Sequence, residues 1–355
     1  MRQWSLNPSC PPAPPFDCSL VTDVPQSECE VLVNLYSGAN GSNWNDHTNR
    51  LHSTTVGNRY GITVSDGHVT QINLAGYMHM GNGLIGTADF SGLDNLQQLF
   101  LDRNQLSSIN IAGLTNLTYV FADDNQLTDF DLDGLTNLDD LNVDGNRLSI
   151  LNLSGLTNLQ TVYANTNNLT SIDLDGLSNL DRLGLNNNQI SDIDLSGLTA
   201  LQYLYLSSNQ LSTVNLSGLN SLINLDLSYN LLSTLPESTL SLSHLAQVNL
   251  SYNCRNPSAM SDDLISFLNE YTPDTSWLVG GMNDTCPVPS LDCATVTDIP
   301  QNECEALVSL YTDTNGNHWT QRNNRLRSTT ASNRYGVTVN DGHVNTINLP
   351  NNGLQ

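Results

Sequence analysis

The chain has 355 residues and a formal net charge of −24, with 35 acidic residues against 11 basic ones, all of them arginine. Such an acidic balance disfavours binding to nucleic acid and to anionic membrane surfaces. No apolar run reaches the roughly 18 residues of a transmembrane span, so we expect no membrane insertion in this chain.

The first 74 residues divide into a short stretch and a predicted cap. We interpret residues 1–17 as the remnant of a preceding module with its linker, and residues 18–74 as an N-terminal cap. Asp23 and Gln26 have the spacing of a helix capping box. Apolar residues then recur at helical spacing over Cys29–Tyr36, which predicts one amphipathic helix.

Residues 75–253 contain a phrase that returns every 21 residues and reads LQYLYLSSNQL at residues 201–211. Its asparagine recurs at Asn104, Asn125, Asn146, Asn167, Asn188, Asn209 and Asn230. A period this short predicts stacked coils, because one coil cannot bury its own apolar side. Alternate leucines should point inward from short parallel strands, while each asparagine bonds backbone groups of adjacent coils in a buried turn.

The phrase L-x-x-L-x-L-x-x-N-x-L resembles the leucine-rich repeat. The resemblance implies an α/β solenoid that is mostly β, a horseshoe or arc with a parallel concave sheet, short strand-like convex segments and small helical caps. The 21-residue form is similar to bacterial surface proteins of the internalin type. Residues 32–36, 40–44 and 60–64 resemble the caps of plant and bacterial receptor ectodomains. The resemblance therefore implies a bacterial protein that is extracellular or located at the cell surface.

Three further segments follow the repeats. Residues 254–286 are interpreted as a C-terminal cap, because apolar residues recur at helical spacing over Leu264–Tyr271. Residues 287–292 form a linker stiffened by proline. The last segment, residues 293–355, repeats the first cap at an offset of 275 residues, and 35 of 57 aligned residues are identical. We interpret it as the N-terminal cap and first coil of the next module in a tandem array.

Seven cysteines in a chain expected outside the cell favour a disulfide framework. Their positions in the caps predict three pairs: Cys18–Cys29, Cys254–Cys286 and Cys293–Cys304. Cys10 then has no predicted partner within the chain. Metal binding is the alternative, but no C-x-x-C motif and no nearby histidine pair favours a zinc site.

Aromatic side chains stand at outward positions of the predicted concave sheet, with aspartates around them. The candidate ligand-binding residues are Phe100, Tyr119, Phe121, Tyr163, Tyr203, Tyr205, Asp102, Asp123 and Asp139. Exposed apolar groups with a polar rim are typical of interaction sites, although aromatic residues also stabilise strands by packing across neighbours. Asn142, Gly184 and Asp226 interrupt the aromatic positions, which we interpret as room for a shaped ligand.

A calcium site is a weaker hypothesis. Asp131, Asn152, Asp173 and Asp194 occupy one position of successive coils and could share a cation, although solvated carboxylates are the favoured interpretation. We predict no other cofactor. No H-E-x-x-H motif and no nucleophile elbow is present, so we expect no enzyme.

Two classes of function remain. The first is a non-enzymatic extracellular module of a repetitive surface protein, which mediates adhesion or recognition of a protein or a glycan. The second is a structural subunit of an extracellular stalk, fibre or surface coat, whose partners are neighbouring copies of the same module.

Overall fold

The computed structural model describes residues 16–45, 53–76, 82–254, 260–271, 293–313 and 336–349. The predicted module remnant up to residue 15, the linker 287–292, Cys10 and Cys286 lie outside these residues. The chain divides into two compact units, Met1–Tyr205 with Gly218–Leu222, and Leu206–Ser217 with Ile223–Gln355. The fold is a parallel-sheet β-solenoid with few helices, as predicted. None of the described helices has the length and apolar character needed to cross a membrane.

The first unit begins with a cap of one helix and one hairpin. Helix α1 spans Gln26–Gly38, and strands β1 (Ile62–Ser65) and β2 (His68–Asn73) pair antiparallel. The predicted Cys18–Cys29 disulfide is confirmed and ties the helix to the segment before it.

The predicted capping box of α1 is wrong. Pro25 occupies the N-cap and no side chain bonds the helix terminus. The carboxylate of Asp23 instead accepts hydrogen bonds from the backbone nitrogens of Val56 at 2.7 Å and Gly57 at 2.8 Å. Asp23 thus fixes a segment 33 residues further along the chain, a tertiary contact that replaces the local one.

The solenoid of the first unit continues from β2 through strands of three residues each. They are β4 (Gln98–Phe100), β6 (Tyr119–Phe121), β7 (Asp140–Asn142), β8 (Thr161–Tyr163), β9 (Arg182–Gly184) and β10 (Tyr203–Tyr205). Each strand pairs in parallel with the next one, in the order β2-β4-β6-β7-β8-β9-β10. Strands β3 (Ile85–Asp89) and β5 (Gln105–Asn110) form a separate two-stranded parallel sheet. The predicted second strand therefore occurs in these first coils, and the equivalent segments of later coils run without an assigned strand.

Leucines fill the interior of the coils because every second residue of a strand points to the same face. In β7, for example, Leu141 is fully buried between Asp140 and Asn142, which remain half-exposed, and Val143 is buried next to it. Burial of one such side chain stabilises the fold by about 1.5–3 kcal/mol.

The asparagine ladder joins each coil to the one before it. The Nδ2 of Asn146 donates to the carbonyls of Val143 and Ala122, both at 3.0 Å, and its Oδ1 accepts from the backbone nitrogen of Leu127 at 3.0 Å. The same pattern recurs at Asn104, Asn125, Asn167, Asn188, Asn230 and Asn253. These amides satisfy backbone groups that the short strands leave unpaired inside the stack.

A second, exposed row of asparagines has the same period. The Nδ2 of Asn137 donates to the carbonyl of Thr115 at 2.8 Å. Equivalent bonds to the preceding coil are made by Asn116, Asn158 and Asn179. Asparagine side chains therefore tie each coil of this part to its predecessor at two places, in addition to the pairing of the strands.

The residue that precedes each ladder asparagine has a left-handed backbone. Its φ lies between 52° and 57° at Arg103, Asp124, Thr166, Asn187, Ser208, Tyr229 and Tyr252, and is 64° at Gly145. Side chains other than glycine seldom adopt this conformation. The turn therefore imposes the same backbone on residues of very different size.

The second unit contains the last coils, a helix and the repeated cap. Strands β11 (Asn224–Asp226) and β12 (Gln247–Asn249) pair in parallel, and helix α2 spans Asp262–Tyr271. The backbone nitrogen of Leu264 donates to the Ser261 hydroxyl at 3.1 Å, which caps α2. Leu264 and Leu268 are buried on one helical face.

The repeated cap has the same elements as the first one. Helix α3 (Gln301–Asp313) precedes the antiparallel strands β13 (Val337–Asn340) and β14 (His343–Ile347). The predicted Cys293–Cys304 disulfide is confirmed. Cys254 is disulfide-bonded as well; its predicted partner, Cys286, lies outside the described residues. The module boundaries deduced from the sequence stay a prediction.

Candidate functional site

The outward residues of β4 to β10 form a continuous row on the sheet of the first unit. Strand register places its members side by side as Phe100, Phe121, Asn142, Tyr163, Gly184 and Tyr205. A parallel row lies two residues earlier in each strand, and its members are Gln98, Tyr119, Asp140, Thr161, Arg182 and Tyr203. Neighbouring strands lie roughly 4.8 Å apart, so the two rows form one surface.

The aromatic side chains of these rows are half-buried and several contact one another. The rings of Phe100 and Phe121 meet edge to face, with their centroids 5.3 Å apart. Such a pair contributes about 0.5–1.5 kcal/mol beyond its buried area. At this end of the row the aromatic residues therefore pack across coils and also face solvent.

The space above Gly184, which the sequence suggested for a ligand, is occupied by side chains of the preceding coil. A Cβ atom at Gly184 would lie 2.6 Å from Cδ1 of Tyr163 and 2.8 Å from Nδ2 of Asn165. The side chains of Tyr163 and Asn165 therefore lie over this glycine, and the absence of a side chain at Gly184 accommodates them. The interpretation of Gly184 as room for a ligand is wrong, because a neighbouring coil fills that space.

Arg182 introduces a positive charge among the aromatic side chains. Its Nε lies 3.2 Å from Oδ2 of Asp181, and its guanidinium carbon lies 4.2 Å from the ring centroid of Tyr203. Burial lowers the pKa of Arg182, but Asp181, Tyr163 and Tyr203 raise it by more, so that it is raised overall. The guanidinium thus covers one face of Tyr203 and neutralises part of the local negative charge.

A row of carboxylates follows the aromatic row at the ends of the strands. Burial, with the charge of Asp102 next in size, raises the pKa of Asp123 to about 6. Burial also raises the pKa of Asp102 and of Asp144. The amide of Asn142 donates to Oδ1 of Asp123 at 3.1 Å. Three like charges on successive coils thus give this edge of the surface a strong negative potential.

Two further carboxylates lie at the start of the strands. Asp139 precedes β7 and Asp181 precedes β9, and in each the Oδ1 atom is buried without a hydrogen-bond partner among the described residues. Burial raises the pKa of Asp139, with a contribution from Asp140. A buried acceptor without a donor is costly, and an external donor does not reach either oxygen at its present position.

The candidate calcium residues cap turns. Oδ1 of Asp131, Asp173 and Asp194 each accepts the backbone N–H two residues further on, at distances of 3.0, 3.0 and 2.9 Å. All three are exposed. Among the described residues, no group of three or more histidine, cysteine, aspartate or glutamate side chains could hold a metal ion. The turn contacts explain the recurrence of these residues, and calcium binding stays a prediction.

One pair that the sequence reasoning missed lies in the caps. Nδ1 of His68 lies 2.7 Å from Oε1 of Glu28, whose other oxygen accepts from the backbone nitrogen of Val69 at 2.8 Å. Glu303 and His343 repeat the arrangement at 2.6 Å. The signal was available in the sequence, because both caps keep a glutamate and a histidine 40 residues apart.

A family model described as "Leucine Rich repeats (2 copies)" matches residues 178–221. These coils are leucine-rich repeats. The matched residues include β9 and β10 with Asn188 and Asn209 of the ladder, so the match falls where the strand and turn geometry are both described. The leucine-rich repeat is a protein-interaction fold.

Solved leucine-rich repeat structures are similar over about half of the chain. The functional domain of InlJ from Listeria monocytogenes is 27% identical, with a TM-score of 0.42, over 49% of this chain and 43% of that one. YopM from Yersinia enterocolitica is 28% identical, with a TM-score of 0.40, over 50% and 40%. A Leptospira interrogans LRR protein is 27% identical, with a TM-score of 0.41, over 49% and 53%.

The chain thus spans at most about half the length of these three structures. A search of curated protein sequences finds no match. The assignment to leucine-rich repeats rests on the repeat geometry and the family match.

Proposed function

We propose that this chain is a non-enzymatic extracellular module that binds a protein partner through the sheet surface of its first unit, and that this binding serves adhesion. The observation that carries the proposal is the outward row of half-buried aromatic side chains, bordered by carboxylates that include Asp123 and Asp139. Arginine or lysine side chains supply both the N–H donors and the apolar stem that such a surface accepts.

Charge supports a basic partner. Asp102, Asp123 and Asp144 line one edge of the surface, and the chain as a whole carries a net charge of −24. Opposite charges on the two proteins accelerate their association and disfavour acidic competitors. The desolvated centre of the interface determines the dissociation rate of the complex. Arg182 contacts Asp181 and Tyr203. Its positive charge would repel a basic group of the partner at this position.

Two disulfides support the extracellular location. Cys18–Cys29 and Cys293–Cys304 are structural cross-links inside the caps, and such cross-links persist in oxidising compartments. Recognition by a rigid solenoid needs no chemical step, and the proposal assigns the chain no catalytic role.

The test uses the full chain and arrays of immobilised peptides that combine aromatic residues with either arginine or aspartate. We expect retention on the arginine peptides, stronger at low salt than at high salt. The double variant Asp139→Asn with Tyr205→Ala should bind at least about tenfold more weakly, which corresponds to about 1.4 kcal/mol.

The matched control is Asp131→Asn with Ile150→Ser. It removes one carboxylate charge and one apolar side chain that is 74% exposed, away from the sheet rows. Equal loss of binding in both double variants would contradict the proposal, as would equal retention on arginine and aspartate peptides.

A second candidate function is favoured by the duplicated cap. Residues 293–349 repeat residues 18–74 with the same helix, disulfide and hairpin. Modules in series would serve as a stalk, fibre or coat, with neighbouring modules as partners. Electron microscopy of the native assembly tests this candidate: a filament with one repeating module supports it, and isolated globular particles contradict it.

A further inference from the structure

We propose that the second unit carries a separate binding site for a neutral carbohydrate, built on Tyr229 and Tyr252. The two rings are stacked, with centroids 4.2 Å apart and planes inclined by 10°. Tyr229 is 47% exposed and Tyr252 is 38% exposed. Burial raises the pKa of Tyr229, and the side-chain hydrogen bond with Tyr252 raises it further. The pair is thus a fixed aromatic platform in which each ring covers one face of the other and remains partly exposed to solvent.

The fold does not require aromatic rings at this place. Both tyrosines occupy the left-handed position before a ladder asparagine, with φ of 54° and 57°. Ser208 holds the same position one coil earlier with φ of 57°, and Gly145 holds it in the first unit. A small side chain is therefore sufficient for the turn. Two large apolar surfaces left in water at such a position indicate an interaction rather than core packing.

In the described residues of β11, β12 and their turns, the side chains around the pair are mostly neutral. The strand-end row that holds Asp102, Asp123 and Asp144 in the first unit holds Ser207, Ser228 and Ser251 in the second. Asn224 and Gln247 occupy the outward position at the start of β11 and β12, where their side chains bond each other at 2.8 Å. Hydroxyl and amide groups thus replace the carboxylates.

Within the described residues 224–230 and 247–254, Asp226 is the one charged side chain. Its Oδ1 accepts from the backbone nitrogen of Ser228 at 2.9 Å and from its hydroxyl at 2.7 Å, and its Oδ2 accepts from Asn249 Nδ2 at 3.4 Å. Both oxygens of the Asp226 carboxylate therefore accept hydrogen bonds from side chains and backbone of the coils themselves. The platform offers a ligand flat rings together with neutral donors and acceptors.

This chemistry fits a sugar ring. The C–H face of a pyranose stacks on an aromatic ring, and its hydroxyls bond hydroxyl and amide groups, which fix its orientation. A basic peptide would find little charge here and is better served by the first unit. An anionic polymer is opposed by the net charge of the chain. The inference goes beyond the proposed function, because it concerns another unit and another class of ligand.

The experiment is affinity electrophoresis of the full chain through native gels that contain dextran, mannan, galactan or, as the anionic polymer, alginate. We expect retardation in at least one neutral gel and none in alginate. The double variant Tyr229→Ser with Tyr252→Ser should bind at least about tenfold more weakly. Ser208 shows that serine is compatible with this turn, and an unchanged thermal melt would verify the fold.

Two further variants make the outcome specific. Tyr229→Phe with Tyr252→Phe keeps the stacked rings and should retain most of the retardation. Asp139→Asn with Tyr205→Ala, which tests the first unit, should leave retardation unchanged, so that either proposal can fail without the other. Absence of retardation in all three neutral gels, retardation in alginate alone, or equal retardation of the serine variant would overturn the inference.

Discussion

The two caps have nearly the same sequence, but their second strands differ in burial. Ile72 in β2 is completely buried, whereas its equivalent in β14, Ile347, is 45% exposed. In the first cap Ile72 is in register with Leu99 of the parallel strand β4. Within the described residues, β14 has β13 as its only strand partner. Helix, disulfide and hairpin therefore form from local sequence, while burial of the apolar edge depends on a leucine-rich coil beside it.

The glutamate–histidine pair shows the same dependence. Glu28 is buried in the first cap, and the equivalent Glu303 is partly exposed in the second, although both accept from a histidine and from a backbone nitrogen. Identical hydrogen bonds thus lie in different dielectric surroundings, and their contribution to stability should differ accordingly.

Truncation of the edge isoleucine gives the largest expected contrast. Ile72→Ala should reduce the free energy of unfolding of the first cap by about 2–5 kcal/mol, because it leaves a cavity between β2 and β4. Ile347→Ala should reduce that of the second cap by less than about 1 kcal/mol. Hydrogen exchange resolved by peptide measures each cap separately. Equal losses of protection would mean that the two edges are equally covered.

Removal of the disulfides should affect the two caps equally. Both link cysteines 11 residues apart, and each should contribute about 3 kcal/mol by restricting the unfolded chain. We expect Cys18→Ala with Cys29→Ala, and Cys293→Ala with Cys304→Ala, to lower cap protection by similar amounts in hydrogen exchange. A much larger effect in the first cap would show that native packing around the sulfur atoms matters more than chain entropy.

Glu28→Gln should cost about 1–3 kcal/mol, since it weakens the bonds to Val69 and His68 within a buried site. Glu303→Gln should cost less than the Glu28 change, because solvent reaches the carboxylate. Hydrogen exchange of the Val69 amide reports on the first cap, and exchange of the Val344 amide reports on the second. The reverse order of the two effects would contradict the difference in burial.

The smallest expected effect is the pH response of the second cap. The hydrogen bond from His343 and then that from Val344 hold the pKa of Glu303 below its ordinary value of 4.5. A lowered pKa stabilises the folded state fully above pH 4.5, and this contribution is lost as pH falls through the folded value. Protection of the Val344 amide should therefore decline on acidification. Glu303→Gln should remove that response, and its persistence in this variant would assign it to another group.

The sequence was sufficient for the solenoid, the ladder and the two cap disulfides that are confirmed. The reason is periodicity: seven asparagines in register restrict every coil in the same way, and two copies of one cap repeat each cysteine. The exposed row that includes Asn116 and Asn137 has the same period, so the sequence contains that signal as well.

Contacts between segments far apart in sequence were not predictable. Asp23 has the spacing of a capping residue. Its carboxylate oxygens nevertheless accept hydrogen bonds from the backbone nitrogens of Val56 and Gly57. No local pattern reveals that Tyr163 lies over Gly184, because the fit depends on the size of side chains on neighbouring coils. At the candidate site the sequence thus predicted which side chains face outward, but not which of them already contact one another.

The reach of the asparagine ladder has a consequence for how such a protein changes length. The described hydrogen bonds of Asn146 and Asn230 join each amide to its own coil and to the one before it. A block of 21 residues can therefore be inserted or excised between two ladder asparagines while the remaining coils keep their bonding partners. Unequal recombination within the gene can lengthen or shorten the solenoid in whole steps, each adding or removing roughly 5 Å.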